Sequence, residues 1–205
     1  MDMRLVVHPK DILPKIVSWS DIQRQYDCYR MFGRVIQPAR FLEIGVAAGY
    51  SSYAILSGCE EAGVIPSVTW IDYCDGHGVD GNHNYALGLI RGRFGIDPDD
   101  RIINSRDVWS LEHHYDLIHV DGDHSYEGCL HDGKVAVRHL RPNGCVIFHD
   151  TDDTNVFRAV DCLVGDKREF HVLNFPQVRC GVRVVYHRDD EIADKLWRAM
   201  SAFKL

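Results

Sequence analysis

Two polar clusters in the sequence carry residue types that can bind a metal ion or move a proton. The first, Asp-Gly-Asp-His at 121–124, directly follows an apolar run at 115–120. The second, His-Asp at 149–150, follows an apolar run at 145–148. Carboxylates and imidazoles are common ligands of divalent ions, and an imidazole also titrates near neutral pH. The clusters therefore indicate a metal site, an acid–base site, or both.

Both clusters stand at the carboxyl ends of predicted strands that are joined by a predicted helix. Such a crossover makes the two strands parallel, so that their carboxyl ends meet at one edge of the sheet. Ligands bind at that edge in open α/β sheets. We therefore expect five side chains to converge there: Asp121, Asp123, His124, His149 and Asp150.

A glycine-containing turn comes earlier, within residues 40–52. A short apolar run is followed by Gly45 and Gly49 and then by an amphipathic stretch, an order that predicts strand, tight turn and helix. Glycine allows both unusual backbone angles and close approach of a ligand to the main chain. Ser51 or Ser52 is predicted to cap the helix, whose free N–H groups then face a ligand.

The turn differs from the dinucleotide fingerprint, because Ala47 stands where that motif needs its second glycine. The pattern is instead Glu43-x-Gly45-x-x-x-Gly49. The next predicted strand, Ser67–Asp72, ends in an acid. In doubly wound sheets an acid at this position accepts hydrogen bonds from the hydroxyls of a ribose. Asp72 is therefore predicted to bind a ribose.

The remaining pattern predicts an α/β fold, a Rossmann-like three-layer sandwich with a mostly parallel seven-stranded sheet and a C-terminal antiparallel hairpin. A helix at 19–32 is predicted to end at Gly33, and the Gly-, His- and Asp-rich segment 74–84 is predicted to be a flexible surface loop. The other predicted elements are helices at 85–94, 125–139 and 191–203, strands at 101–104, 169–175 and 179–187, and a turn at 141–144.

Composition narrows the class of protein. The chain has 205 residues, 45% of them hydrophobic, which suits one globular domain. Its net charge is -7 without a basic stripe, which argues against a nucleic-acid partner. No apolar run approaches the ~20 residues of a membrane span. The seven cysteines form no C-x-x-C pair, so they are expected to be free thiols in a reducing cytoplasm.

From about residue 34 to 187 this order of motifs resembles class I S-adenosylmethionine-dependent methyltransferases. The segments 115–128 and 140–151 are similar to the metal-dependent small-molecule O-methyltransferases, a branch that includes catechol, caffeoyl-CoA and macrolide-sugar enzymes and cephalosporin-hydroxylase-like proteins. The resemblance implies one domain over 1–205, with an N-terminal helical extension at 1–33, a cofactor-binding core at 34–187 and a C-terminal helix at 188–205.

The resemblance also implies roles for individual residues. It makes His124 the catalytic base, and it places a Mg²⁺ or Mn²⁺ ion on Asp121, His149 and Asp150. His149 departs from the usual acidic residue, and imidazole suits Mn²⁺, Fe²⁺ or Zn²⁺ better than Mg²⁺. The implied contacts of the S-adenosylmethionine cofactor are Glu43, Gly45, Ala47, Gly49, Ser51, Asp72, Ser105, Arg106 and Asp121.

The predicted activity is therefore transfer of a methyl group to a small-molecule hydroxyl, such as that of a sugar or a catechol-like ring. A metal-dependent hydrolase and a non-catalytic adenosylmethionine-binding module are the alternatives. The hydrolase leaves the glycine turn and Asp72 without a role, and the turn spacing disfavours a nicotinamide oxidoreductase. The N-terminal helix and the tail hairpin are candidate surfaces for a homo-oligomer.

Overall fold

The computed structural model describes residues 19–73, 80–165 and 169–203. Helices and strands alternate through most of this chain, and the last two strands follow one another without a helix between them. A short 3-10 helix, Ser105–Asp107, follows the third strand. The strands are β1 (Arg40–Ile44), β2 (Ser67–Asp72), β3 (Asp99–Ile102), β4 (Tyr115–Val120), β5 (Leu140–Phe148), β6 (Phe170–Phe175) and β7 (Val182–His187), and the helices are α1 (Trp19–Ile36), α2 (Tyr50–Glu61), α3 (Asp80–Phe94), α4 (Tyr126–Arg138), α5 (Thr154–Gly165) and α6 (Ile192–Phe203).

The seven strands form one sheet in the order β3-β2-β1-β4-β5-β7-β6. The first five strands pair in parallel, and β7 runs antiparallel to both β5 and β6. The order reverses between β1 and β4, which pair with Leu42 opposite Ile118. The predicted mixed sheet and its C-terminal hairpin are confirmed, and the crevice where the order reverses is where open α/β sheets bind ligands.

Helices cover both faces of the sheet, which gives the three predicted layers. One hydrophobic cluster joins the sheet to α1, α2, α3 and α6, and includes Tyr29, Ile55 and Leu196. The other joins the opposite face to α4 and α5, and includes Val135 and Val160. Among the described residues, no helix combines the length and the apolar character that are needed to cross a membrane.

The prediction that the first helix ends at Gly33 is wrong, because α1 continues to Ile36. Gly33 lies where α1 crosses α2. A Cβ there would stand 1.9 Å from the Ile55 carbonyl oxygen, and a Cβ at Gly58 of α2 would stand 1.9 Å from the Arg30 carbonyl oxygen. The two glycines therefore let the backbones of the helices touch. Tertiary packing, rather than helix termination, explains Gly33.

Other boundaries also differ from the prediction, as at β3, which spans Asp99–Ile102 instead of 101–104. Helix α3 begins at Asp80, so the C-terminal part of the predicted loop 74–84 is helical, and residues 74–79 lie outside the described residues. Strand β5 begins at Leu140, where a turn at 141–144 was expected. The turn-forming Asn143 has a φ of 60° inside the strand, and the β4–β5 register shifts between Tyr115 and Leu117. An irregular strand replaces the turn.

Substituting Gly58 with alanine tests the contact between α1 and α2. The added Cβ has no room against the Arg30 carbonyl, so Gly58→Ala should lower the free energy of unfolding by about 3 kcal/mol. Gly92 lies on the exposed side of α3, and a Cβ added there would meet no atom within 4 Å. Gly92→Ala should therefore raise the free energy of unfolding by about 0.5–1 kcal/mol. Chemical denaturation of both variants measures this difference in sign, and equal effects would contradict it.

Candidate functional site

A cleft of about 380 Å³ opens at the carboxyl ends of β1, β2 and β4. Its volume lies within the range of small-molecule sites. Five of the residues that were predicted to contact the cofactor line it, namely Gly45, Ala47, Asp72, Ser105 and Asp121. Its other lining residues are Ile44, Ile71, Tyr73, Asn104, Gly122 and Asp123.

The turn after β1 owes its shape to close backbone contacts. Gly45 has a φ of 84°, and a Cβ there would stand 2.1 Å from the carbonyl oxygen of Asp121. One carboxylate oxygen of Asp72 accepts hydrogen bonds from the amides of Val46 at 2.7 Å and Ala47 at 2.8 Å. Asp72 thus both orients the turn and lines the cleft, whereas the sequence predicted only that it binds a ribose.

Glu43 lies beneath the cleft, so its predicted cofactor contact is corrected. Its side chain is fully buried and accepts hydrogen bonds from the hydroxyls of Ser51 and Ser52. His119 Nδ1 of β4 lies 2.9 Å from the same carboxylate. Neither Ser51 nor Ser52 caps α2, whose N-cap is Gly49 without a side-chain cap bond. These residues tie α2 to the sheet.

The 3-10 helix after β3 brings Ser105 to the cleft but turns Arg106 elsewhere. The Arg106 guanidinium lies 2.5 Å from Asp123 and donates to the Ser125 hydroxyl at 2.8 Å. Ser125 also accepts from the Gly128 amide at 3.1 Å, which confirms it as the predicted cap of α4. Arg106 therefore links the loops after β3 and β4. It is not among the residues that line the cleft, where its contact with the adenine was predicted.

The predicted metal and catalytic residues do converge, in a cluster that we call the His–Asp cluster: Asp121, His124, His149 and Asp150. His149 Nδ1 lies 3.1 Å from Asp121 Oδ2 and 3.3 Å from Asp150 Oδ2. His124 Nε2 lies 3.2 Å from Asp121 Oδ1 and 3.2 Å from Asp150 Oδ2. Each imidazole therefore faces both carboxylates, as expected for the ends of neighbouring parallel strands.

Electrostatics within the His–Asp cluster favour the charged forms of Asp121, His124 and His149. Burial acts to raise the pKa of Asp121, but the charge of His149 and hydrogen bonds from both histidines lower it below its ordinary value. Burial acts to lower the pKa of His149, yet the facing carboxylates of Asp121 and Asp150 raise it to about 10. The hydrogen bond to Asp121 raises the pKa of His124.

The backbone beside the His–Asp cluster is strained at two non-glycine residues. Asp150 has a φ of 52° and Cys180 has a φ of 60°. Each such conformation costs on the order of 1–3 kcal/mol and is found preferentially at functional sites. The segment just after Asp150 pairs briefly with the segment around Cys180, since the Asp152 amide donates to the Cys180 carbonyl at 3.1 Å.

The donor atoms of this region fit a divalent ion that binds both nitrogen and oxygen ligands. Two groups have ligand atoms within 4.8 Å of one another, Asp121 with His124 and Asp150, and His149 with Asp150 and Cys180. Mg²⁺ prefers oxygen ligands, whereas imidazole and carboxylate together suit Mn²⁺, Fe²⁺ or Zn²⁺. The residues present thus fit a transition ion better than Mg²⁺.

Sequence reasoning missed several residues of this region. Tyr73, Asn104 and Gly122 line the cleft next to residues that were predicted to do so. Their positions just after strand ends could have indicated this. Gln25 of α1 is buried, with its amide nitrogen 3.0 Å from His149 Nε2. No sequence signal marks Gln25, because its role depends on the packing of α1 against the sheet.

Comparison with known proteins agrees with this geometry. A family model described as "Methyltransferase domain" matches residues 42–151, which contain the cleft and the whole His–Asp cluster. The fold is that of class I S-adenosylmethionine-dependent methyltransferases. The chain belongs to the Methyltransferase domain family and is an S-adenosylmethionine-dependent methyltransferase. A search of curated proteins found no match.

Solved structures share the fold at low sequence identity. The SAH-bound methyltransferase PaMTH1 of Podospora anserina is 18% identical, with a TM-score of 0.60 over 88% of this chain and 85% of that one. A putative caffeoyl-CoA O-methyltransferase from Staphylococcus aureus is 17% identical, with a TM-score of 0.60 over 85% and 86%. The N-methyltransferase NodS of Bradyrhizobium japonicum is 17% identical, with a TM-score of 0.55 over 82% and 96%. The fold alone therefore does not select the acceptor atom.

A buried acid, Asp132 of α4, lies under the loop that follows β4. It is 1% exposed, and neither carboxylate oxygen has a hydrogen-bond partner among the described residues. A Cβ at Gly122 would stand 3.1 Å from Asp132 Oδ2. Burial raises the pKa of Asp132 from 3.8 to about 6. Because the folded state favours the protonated acid, Asp132 contributes stability at low pH that is lost as the pH rises through about 6.

The variant Asp132→Asn tests this pH dependence. At pH 7–8 the variant should be more stable than wild type by up to about 3 kcal/mol, since an asparagine cannot ionise. The difference should shrink between pH 6 and pH 4. Urea denaturation at several pH values measures it, with the exposed acid Asp97→Asn as the control. A difference that stays constant with pH would contradict the assignment of the raised pKa to Asp132.

Proposed function

We propose that this methyltransferase transfers the methyl group of S-adenosylmethionine to a hydroxyl oxygen of a small molecule, with a divalent ion at Asp121, His149 and Asp150. The observation that carries the proposal is the position of Asp121. This residue lines the cleft, and its carboxylate faces both histidines of the His–Asp cluster. An acceptor held at this cluster therefore lies beside a cofactor held in the cleft.

The cofactor's adenosine occupies the cleft in this proposal. Asp72 binds the ribose hydroxyls, and the turn at Gly45 and Ala47 lies against the cofactor's main body. Ser105, with Tyr73 and Asn104, bounds the adenine. The support is that these residues lie together at the crevice where the strand order reverses, the usual ligand site of such sheets. Glu43 and Ser51 act from beneath, by holding α2 and its turn in place.

The methyl transfer is an in-line displacement at the methyl carbon. The acceptor oxygen forms a bond to that carbon while the carbon–sulfur bond breaks, and the electron pair goes to the sulfur. The hydroxyl proton goes to the neutral imidazole of His124, whose side chain is 47% exposed beside Asp121 and Asp150. When bound, the divalent ion lowers the pKa of the acceptor hydroxyl. The protein otherwise acts by orienting the two reactants.

The carboxylate and imidazole side chains beside the proposed acceptor position favour O-methylation over N-methylation. A hydroxyl gives up a proton, so it needs both a base and a means of stabilising the developing negative oxygen. His124 supplies the base, and the carboxylates of Asp121 and Asp150 supply the ligands for a cation.

Calorimetry with S-adenosylmethionine and S-adenosylhomocysteine tests the cofactor site. Wild type should bind both. Asp72→Asn should weaken binding by about 10-fold or more, since a charged hydrogen-bond acceptor contributes about 1.5–3 kcal/mol, and Asp72→Ala should weaken it further. The control is Asp97→Ala, an exposed acid paired with Arg91. Equal binding by wild type and both Asp72 variants would contradict the assignment.

A panel of catechol-like and other hydroxylated small molecules tests the reaction. With Mn²⁺ present, wild type should form S-adenosylhomocysteine in an acceptor-dependent way. His124→Gln should slow this by about 100-fold or more while leaving S-adenosylmethionine affinity unchanged, because the base acts only in the chemical step. His171→Gln, at an exposed histidine of the edge strand β6, is the control. A His124→Gln enzyme as fast as wild type would exclude His124 as the base.

A further inference from the structure

The His–Asp cluster continues inward to α1 through a hydrogen-bond contact of His149. The Nδ1 atom of His149 faces the two carboxylates, while its Nε2 atom faces α1 and the loop before β7. Gln25 Nε2 lies 3.0 Å from this Nε2 atom, and the carbonyl oxygen of Arg179 lies 3.3 Å from it. Gln25 is 4% exposed and His149 is 8% exposed, so water does not replace these partners freely.

One atom of this arrangement has no partner. The amide oxygen of Gln25 is buried and makes no hydrogen bond among the described residues. Leaving such an acceptor unpaired costs about 1–3 kcal/mol. A half-turn of the Gln25 amide exchanges its oxygen and nitrogen and places the oxygen against His149 Nε2. The oxygen then gains a partner if His149 carries a proton on Nε2.

The two amide orientations correspond to two tautomers of His149. With the Gln25 nitrogen facing the ring, Nε2 must accept, so the ring proton is on Nδ1 and points at Asp121. With the Gln25 oxygen facing the ring, Nε2–H donates to it and to the Arg179 carbonyl. A cation that displaces the proton from Nδ1 then meets its lone pair beside the Asp121 and Asp150 oxygens, which lie at 3.1 and 3.3 Å. Only the second state can bind a cation through Nδ1.

We propose that Gln25 of α1 is a positioning residue that selects the metal-binding tautomer of His149 by accepting a hydrogen bond from its Nε2–H group. This inference rests on the proposed function, since it concerns the ion at Asp121, His149 and Asp150. It assigns the N-terminal helix a direct part in the site. Metal-bound histidines generally donate their second ring N–H to an acceptor of this kind, which fixes the tautomer and the ring orientation.

Two substitutions separate the acceptor role of Gln25 from simple packing. Gln25→Met keeps an unbranched side chain but removes the acceptor, and it should weaken Mn²⁺ binding by about 10- to 100-fold. Gln25→Glu supplies only acceptor oxygens, and it should bind Mn²⁺ at least as tightly as wild type. Arg24→Lys is the control, because Arg24 bonds instead to the Gln177 carbonyl on the exposed side.

Calorimetry with Mn²⁺ alone measures these affinities on the full chain, and a parallel titration with S-adenosylhomocysteine reports whether the cofactor site is intact. Loss of Mn²⁺ affinity in Gln25→Met, with restoration in Gln25→Glu and an unchanged cofactor titration, supports the proposal. Equal Mn²⁺ affinity in wild type and Gln25→Met overturns it, as does a Gln25→Glu variant as weak as Gln25→Met. A wild type that binds cofactor but no Mn²⁺ overturns both this inference and the metal part of the proposed function, while leaving the cofactor site standing.

Discussion

The site depends on how closely the ends of β1 and β4 approach each other. These two strands pair in parallel where the strand order reverses, and the turn after β1 touches the loop after β4. A Cβ at Gly45 would stand 2.1 Å from the Asp121 carbonyl oxygen, so only glycine allows this contact. The same contact fixes Asp121, which belongs both to the cleft and to the His–Asp cluster. In the proposed function, cofactor and acceptor chemistry therefore meet at this one residue.

A group of buried, hydrogen-bonded side chains lies beneath this contact and supports it. Glu43 accepts hydrogen bonds from Ser51 and Ser52 and faces His119 Nδ1 at 2.9 Å, and His119 Nε2 lies 3.1 Å from the Tyr29 hydroxyl. The group thereby joins β1, β4, α1 and α2. Removing one partner from such a group leaves the others buried and unpaired, which typically costs about 3–5 kcal/mol for a charged pair. This arrangement explains why an acid stands just before the turn without lining the cleft.

Sequence reasoning identified the strand ends well because apolar runs there stop at chemically distinctive residues. Asp72, Asp121 and the pair His149 and Asp150 all follow such runs, and the parallel topology that brings them together follows from the alternation of strands and helices. The cap at Ser125 was also predictable, because a capping hydroxyl acts within one turn of its own helix.

The features that sequence reasoning missed depend instead on partners distant in the chain. Gly33 was interpreted as a helix stop, but its lack of a side chain serves contact with α2, which no local pattern shows. Glu43 was assigned to the cofactor from its resemblance to a cofactor loop, and its buried partner His119 lies 76 residues away. Gln25 likewise meets His149 across 124 residues.

A crystal structure of the protein with S-adenosylhomocysteine and Mn²⁺ tests the central claim most directly, through the anomalous signal of the ion. We expect the ribose at Asp72 in the cleft and an anomalous peak bounded by Asp121, His149 and Asp150. Asp121 should stand between the cofactor and the ion. Cofactor bound outside the cleft, or a Mn²⁺ peak away from these three residues, would contradict the claim that both meet at Asp121.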